Sequence, residues 1–190
     1  MFPGSTTRAN PSRHLDHFMP LEFFYAQAGR GTPPATYIDG TDMPEPCRHL
    51  LVHASDMTPR LAGFHGSEIE LEVMEAQKSE LFVMRMVVLR RKDTGKPVEF
   101  GAIGIHLEGF NAETREEIRT GITPLGGILG RRNIPHQSQP KAYFSIRADD
   151  LIARLLQEPV GVTLYGRCNA LLHPDGIAFA DIVEILPGGG

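Results

Sequence analysis

Two long apolar segments joined by a short turn limit this chain more than any other feature. Leu81 to Arg91 carries apolar side chains on both faces, Asp93-Thr94-Gly95-Lys96 supplies turn residues, and Pro97 to Glu108 resumes the apolar pattern. A strand covered on both faces needs neighbours at its edges and layers above and below, so this hairpin is expected at the centre of an antiparallel sheet. Ahead of it, Ile69, Leu71 and Val73 alternate with Glu68, Glu70 and Glu72. That period of two predicts a strand with one wet face, at a sheet edge or half covered.

The flanking sequence reads in the same terms. Cys47 to Ala54 is expected as a helix with Leu50 and Leu51 inward. Asn111 to Arg119 has a capping residue, early acids and a late base, the charge order a helix dipole favours. The glycines of Gly126 to Arg131 suggest a turn and flap; without a Lys-Ser/Thr pair or a parallel-strand context they do not make a phosphate loop. Lys141 to Arg147 reads as a strand, Ala148 to Gln157 as a helix, and Val160 to Leu172 and Ile177 to Leu186 as strands joined by His173-Pro174-Asp175-Gly176. Strands outnumber helices and come as hairpins without βαβ alternation, so the class is α+β, an antiparallel β-sheet with helices packed on it. Residues 1–19 are expected as a flexible tail and 20–190 as a single domain whose packing begins in earnest near Pro46.

Composition excludes several functions. A formal net charge of −4 leaves no electrostatic surplus for a phosphate backbone, and nucleic acid is not expected as a partner. Two distant cysteines, Cys47 and Cys168, form no Cys-x-x-Cys pair, which fits reduced thiols in cytoplasm. Met1 to Met19 lacks the apolar core of a signal peptide, and eighteen apolar residues nowhere run together. His49 and His53 share a helical face near Cys47, but solvated or internally satisfied histidines account for them better than zinc. Neither cysteine has a nucleophile signature and no Gly-x-Ser-x-Gly elbow is present, so covalent catalysis is not expected.

Charged residues on apolar faces carry the functional signal. Arg85 shares a strand face with Leu81, Val83, Val87 and Leu89. A guanidinium so enclosed must meet an internal carboxylate, an anionic ligand or the sheet edge, and its planar fork suits a carboxylate. Glu184 poses the same question beside Ala180, Ile182 and Leu186, as a partner for Arg85 or as a general base or hydroxyl-binding group of a pocket. Asp181, on the opposite face, is the alternative acid.

Over roughly residues 46 to 187 the chain resembles the chorismate pyruvate-lyases. The likeness rests on Ser55-Asp56-Met57-Thr58 ahead of the sheet, Phe82-Val83-Met84-Arg85 in a strand, Pro124-Leu125-Gly126, Tyr165-Gly166-Arg167, and Val183-Glu184-Ile185-Leu186-Pro187 at the end, in that order. The resemblance implies a cofactor-free, metal-free lyase that converts chorismate to 4-hydroxybenzoate and pyruvate in an enclosed pocket; separately, no membrane span is expected, and the oligomeric state is left open with a monomer favoured. It implies that Met57 and Leu125 hold the acid through backbone groups and apolar contact, that Arg85 grips a carboxylate, that Glu184 faces the hydroxyl end, and that Arg167 is a second anion contact. Two departures accompany it: Cys168 stands where relatives often have a second arginine, and Glu184 aligns only across a one-residue gap. Two other uses of the same fold stand beside the lyase: a sensor-like domain that binds a small aromatic acid without turnover, and an enzyme acting on another enolpyruvyl or aromatic acid. The stretch ahead of Pro46, rich in Pro and Gly, is poor material for a DNA-reading helix-turn-helix.

Overall fold

In the computed structural model of the chain the described residues are 17–188. The strands are β1 (Ala35–Ile38), β2 (Ile69–Lys78), β3 (Phe82–Arg91), β4 (Pro97–His106), β5 (Gln137–Arg147), β6 (Thr163–Leu172) and β7 (Ala178–Leu186). They form one sheet in the order β1-β5-β6-β7-β4-β3-β2, with every pairing antiparallel. The helices are α1 (Met19–Gln27), α2 (Cys47–Leu51), α3 (Met57–His65), α4 (Ala112–Thr120), α5 (Leu125–Arg131) and α6 (Asp150–Leu156).

The expected hairpin of β3 and β4 forms, with Phe82 opposite His106 and Leu89 opposite Glu99. It is not the middle of the sheet. The C-terminal strand β7 inserts between β6 and β4, because the hairpin of β6 and β7 adds its outer edge to β4. β2 is the edge strand beyond β3, with exposed glutamates and a bulge between Val73 and Glu75. Asn111 caps α4 by accepting a 2.9 Å hydrogen bond from the Thr114 amide.

Two further expectations are corrected, and one helix forms where none was read. Gly126 to Arg131 is helix, not turn and flap: Leu125, Ile128 and Leu129 are buried, and Arg131 and Arg132 pair with Glu117 of α4. Tertiary contact there outweighs the poor helix propensity of glycine. Residues 57–65, not read as a helix, form α3, which ends at Gly66 in the left-handed conformation (φ +60°). Packing also begins well before Pro46: Phe18, Leu21, Phe24 and Tyr25 are buried, Tyr25 donates to Asp149 at 3.0 Å, and β1 pairs with β5. Of the tail expected over 1–19, residues 1–16 lie outside the described residues, whereas Phe18 and Met19 belong to the start of α1.

The helices cover the sheet as two layers. α1 and α6 lie on one face over Met84, Met86, Phe100, Phe144, Leu164, Cys168 and Val183. The other face carries two separate apolar clusters. One joins Ile118 of α4 and Ile128 and Leu129 of α5 to Val83, Ile105, Leu171 and Phe179. The second joins α2 and Leu61 of α3 to Leu89, Val98 and Leu186. Each fully buried Leu, Ile or Phe contributes about 1.5–3 kcal/mol. The polar residues of this face, Arg85, Glu99, Arg167, Asn169 and Glu184, are buried in neither cluster. Among the described residues no helix is long and apolar enough to cross a membrane.

Candidate functional site

A cavity opens where the two clusters part. Its floor is the sheet, with Leu71 of β2, Arg85, Val87 and Leu89 of β3, Glu99, Gly101 and Ile103 of β4, Ile182 and Glu184 of β7, and Asn169 of β6. Its roof is the start of α3, Asp56-Met57-Thr58, and the start of α5, Pro124-Leu125-Gly126. The first turn of any helix leaves backbone N–H groups without intrahelical acceptors, so both roof segments present donors as well as apolar side chains. Gly101 fits this floor because a Cβ there would lie 3.2 Å from the Val183 carbonyl oxygen and 3.4 Å from Glu99. The structure therefore brings Met57, Arg85, Leu125 and Glu184, four residues singled out in the sequence, to one cavity.

Arg85 lies 2% exposed and pairs with no carboxylate among the described residues. Its Nη1 donates to the Ile118 carbonyl at 3.3 Å and its Nε has no partner. Ile118 sits in the last turn of α4, whose carbonyl end offers a partial negative charge and so eases, without cancelling, the burial of the cation. Burial pushes the guanidinium down to about 10, which leaves it charged at neutral pH.

Glu184 meets a different arginine from the one the sequence suggested. Its carboxylate accepts from Nε of Arg167, a fully buried side chain three strands from Arg85 in the sheet order, with β7 and β4 between. Arg167 also donates to the carbonyls of Leu51 at 3.3 Å, His53 at 3.0 Å and Ser55 at 3.3 Å. Those bonds tie down the segment leading into α3, and Arg167 is not among the cavity-lining residues. Gly166 beside it has no alternative, since a Cβ would come within 2.4 Å of the Phe144 ring. Asp181 points to the opposite face, in register with Gly104 and Ala170, and is absent from the cavity lining. Cys168 is likewise buried on the far face, where desolvation raises its thiol.

Two polar residues of the cavity were not singled out. Glu99 is 4% exposed with an unpartnered Oε2, and Asn169 donates to the Ser138 hydroxyl at 2.9 Å. The available signal for Glu99 was the same as for Arg85: it shares a face with Gly101, Ile103 and Ile105 in a strand apolar on both sides. His53 is internally satisfied. Its Nε2–H donates to Leu50 at 2.6 Å and its Nδ1 accepts from the Ser55 amide at 3.1 Å, while burial and then Arg167 push it down to about 4. Among the described residues no three His, Cys, Asp or Glu side chains gather to hold a metal.

The roof is fastened from outside by an ion pair. His136 Nε2 lies 3.0 Å from both carboxylate oxygens of Asp56, and its Nδ1 lies 2.9 Å from the Ile134 carbonyl oxygen. Burial acts to lower the imidazole, but the bonds to Ile134 and Asp56 outweigh it and hold its pKa above the ordinary value. A raised folded-state pKa stabilises below the unfolded value of 6.5 and loses that contribution as pH rises through the folded value. The stability difference between the wild type and His136→Gln is therefore expected to be largest below about pH 6.5 and to shrink at higher pH, as read from urea midpoints across that range. A difference independent of pH would exclude the charged pair.

No family model matches the sequence, and no curated protein matches it by sequence. Solved structures do match. PhnF from Mycobacterium smegmatis aligns with a TM-score of 0.56 at 13% identity over 72% of this chain, which spans 65% of the length of that protein. The effector domain of PhnF gives a TM-score of 0.52 at 13% identity, covering 70% of this chain and 89% of the domain. The ligand-binding domain of a Bordetella bronchiseptica protein described as a GntR-family transcriptional regulator gives 0.51 at 14% identity, covering 64% and 86%. At these identities the likeness concerns the fold alone, and the fold is the α+β, chorismate lyase-like arrangement that such ligand-binding domains share.

Proposed function

We propose that this chain binds a small ring-bearing carboxylic acid in the cavity between Arg85 and Glu184. The observation that carries the reading is Arg85 itself: a buried cation with a free Nε, lining a cavity and lacking a carboxylate among the described residues. Burying an ion alone costs several kcal/mol, and an anionic ligand is the partner that repays it. Leu71, Val87, Leu89 and Ile103 supply apolar walls for a ring. Met57 and Leu125 close over it with backbone donors and apolar contact. The fold neighbours favour binding without turnover, by analogy, since one of them is an effector domain and another a ligand-binding domain.

A second reading, turnover of chorismate, is favoured by Met57, Arg85, Leu125 and Glu184 around one cavity, four of the five residues the lyase resemblance implies, the fifth being Arg167 outside the lining. In that reaction the ether C–O bond to the enolpyruvyl group breaks, the neighbouring ring C–H proton leaves, and the departing enol gains a proton to become pyruvate. Aromatisation to 4-hydroxybenzoate drives the step, so positioning with modest proton transfer suffices.

Incubating purified protein with chorismate, and separately titrating it with 4-hydroxybenzoate, separates the readings. Binding of 4-hydroxybenzoate without release of pyruvate is the outcome expected of a binding domain. Stoichiometric pyruvate and 4-hydroxybenzoate, lost in Arg85→Ala, would establish the lyase. Neither binding nor turnover would contradict both.

A further inference from the structure

We propose that Glu99 determines which acids the site accepts, its carboxyl group donating a hydrogen bond to an oxygen carried by the ligand at the end remote from Arg85. This rests on the ring-acid reading above and adds the residue that recognises an oxygen across the ring from the carboxylate.

Placement comes first. Arg85 stands opposite Ile103, Glu184 opposite Gly101, and Glu99 two residues further along β4 from Gly101, all on the cavity face. Arg85 and Glu99 are thus four residues apart in register, about 14 Å along the strand direction. An acid held through its carboxylate at Arg85 points its far end toward Glu99, with Glu184 at the side.

Chemistry comes second. Glu99 is only 4% exposed, and its Oε2 meets no hydrogen-bond partner. Its cross-strand neighbour is Leu89, which offers nothing polar. Leaving such a group unsatisfied costs about 1–3 kcal/mol, so a purely structural glutamate has no reason to stand here. The charged groups around it are Glu184 on β7 and Arg167 on β6, and these two already bond each other. Burial and then the charge of Glu184 raise Glu99 well above the usual carboxylate range, against the opposing pull of Arg167. Arg167 already matches the charge of Glu184, so Glu99 is the carboxyl of the two left without a cation and the one placed to keep its proton and donate it to an acceptor, while a ligand with a negative group at that end is repelled by Glu184. A buried donor of this kind rejects analogues lacking the acceptor more strongly than an apolar wall rejects a change of size.

Calorimetric titration with 4-hydroxybenzoate and with benzoate tests this directly at pH 7. The wild type is expected to prefer the hydroxylated acid by about tenfold or more. Glu99→Gln, which keeps a donor, retains the preference; Glu99→Leu binds both acids alike, at the wild-type affinity for benzoate. Infrared difference spectra give a second readout, a protonated carboxyl band in the wild type at pH 7 that is missing in Glu99→Gln. An unchanged preference in Glu99→Leu, or no such band, overturns the role of Glu99 alone. If the wild type binds neither acid, the ring-acid reading falls and this inference with it.

Discussion

Replacing Arg85 with methionine is expected to move stability and binding in opposite directions. The wild-type guanidinium is buried against one carbonyl with its Nε unsatisfied, so an apolar side chain of similar length removes a desolvation cost and extends the neighbouring surface of Val83 and Val87. Gains on the order of 1–4 kcal/mol accompany such replacements even where the buried ion was paired. The ligand-free Arg85→Met protein should therefore unfold at a higher urea midpoint than the wild type. Its affinity for 4-hydroxybenzoate should fall by about 2–5 kcal/mol, roughly 30-fold or more in Kd, because the anion loses the buried counter-charge that lines the cavity. A loss of stability together with unchanged binding would mean that Arg85 is a structural residue.

Arg167→Met is expected to lower stability and binding together, and to be the most damaging single change in the molecule. It strips Glu184 of its cation inside the sheet, beside Glu99, and releases the carbonyls of Leu51, His53 and Ser55 that lead into α3. Breaking one side of a buried pair costs about 3–5 kcal/mol, a large share of the stability of any domain. Since Met57 follows that segment directly, ligand binding should fail as well. Adding Glu184→Leu to Arg167→Met should restore part of the lost stability, and the four urea midpoints of the double-mutant cycle give the coupling between the two residues. Additive effects would show that the pair acts as two independent groups.

Much of this architecture was legible as pattern. Hydrophobic periodicity located β3, β4, β6 and β7, and Asn111 with its early acid and late base located α4. Arg85 and Glu184 stood out because alternation assigned each to an apolar face. What periodicity does not carry is the order of strands: nothing local to Ile177–Leu186 says that the last strand lies between β6 and β4. It also could not say which arginine meets Glu184. Arg85 and Arg167 were both available, and register across β6 and β7 decides for Arg167. The glycines of α5 misled in the other direction, since low propensity was outweighed by burial of Ile128 and Leu129. Glu99 was overlooked although the face rule that selected Arg85 applies equally to it.

The most direct test of the central claim is a crystal structure of the protein with 4-hydroxybenzoate at saturating concentration. The account predicts the acid in the cavity beneath Met57 and Leu125, its carboxylate bonded to Nε of Arg85 and its ring against Val87 and Leu89. An acid bound elsewhere, or a cavity left without it while Arg85 keeps its present contacts, would contradict the account.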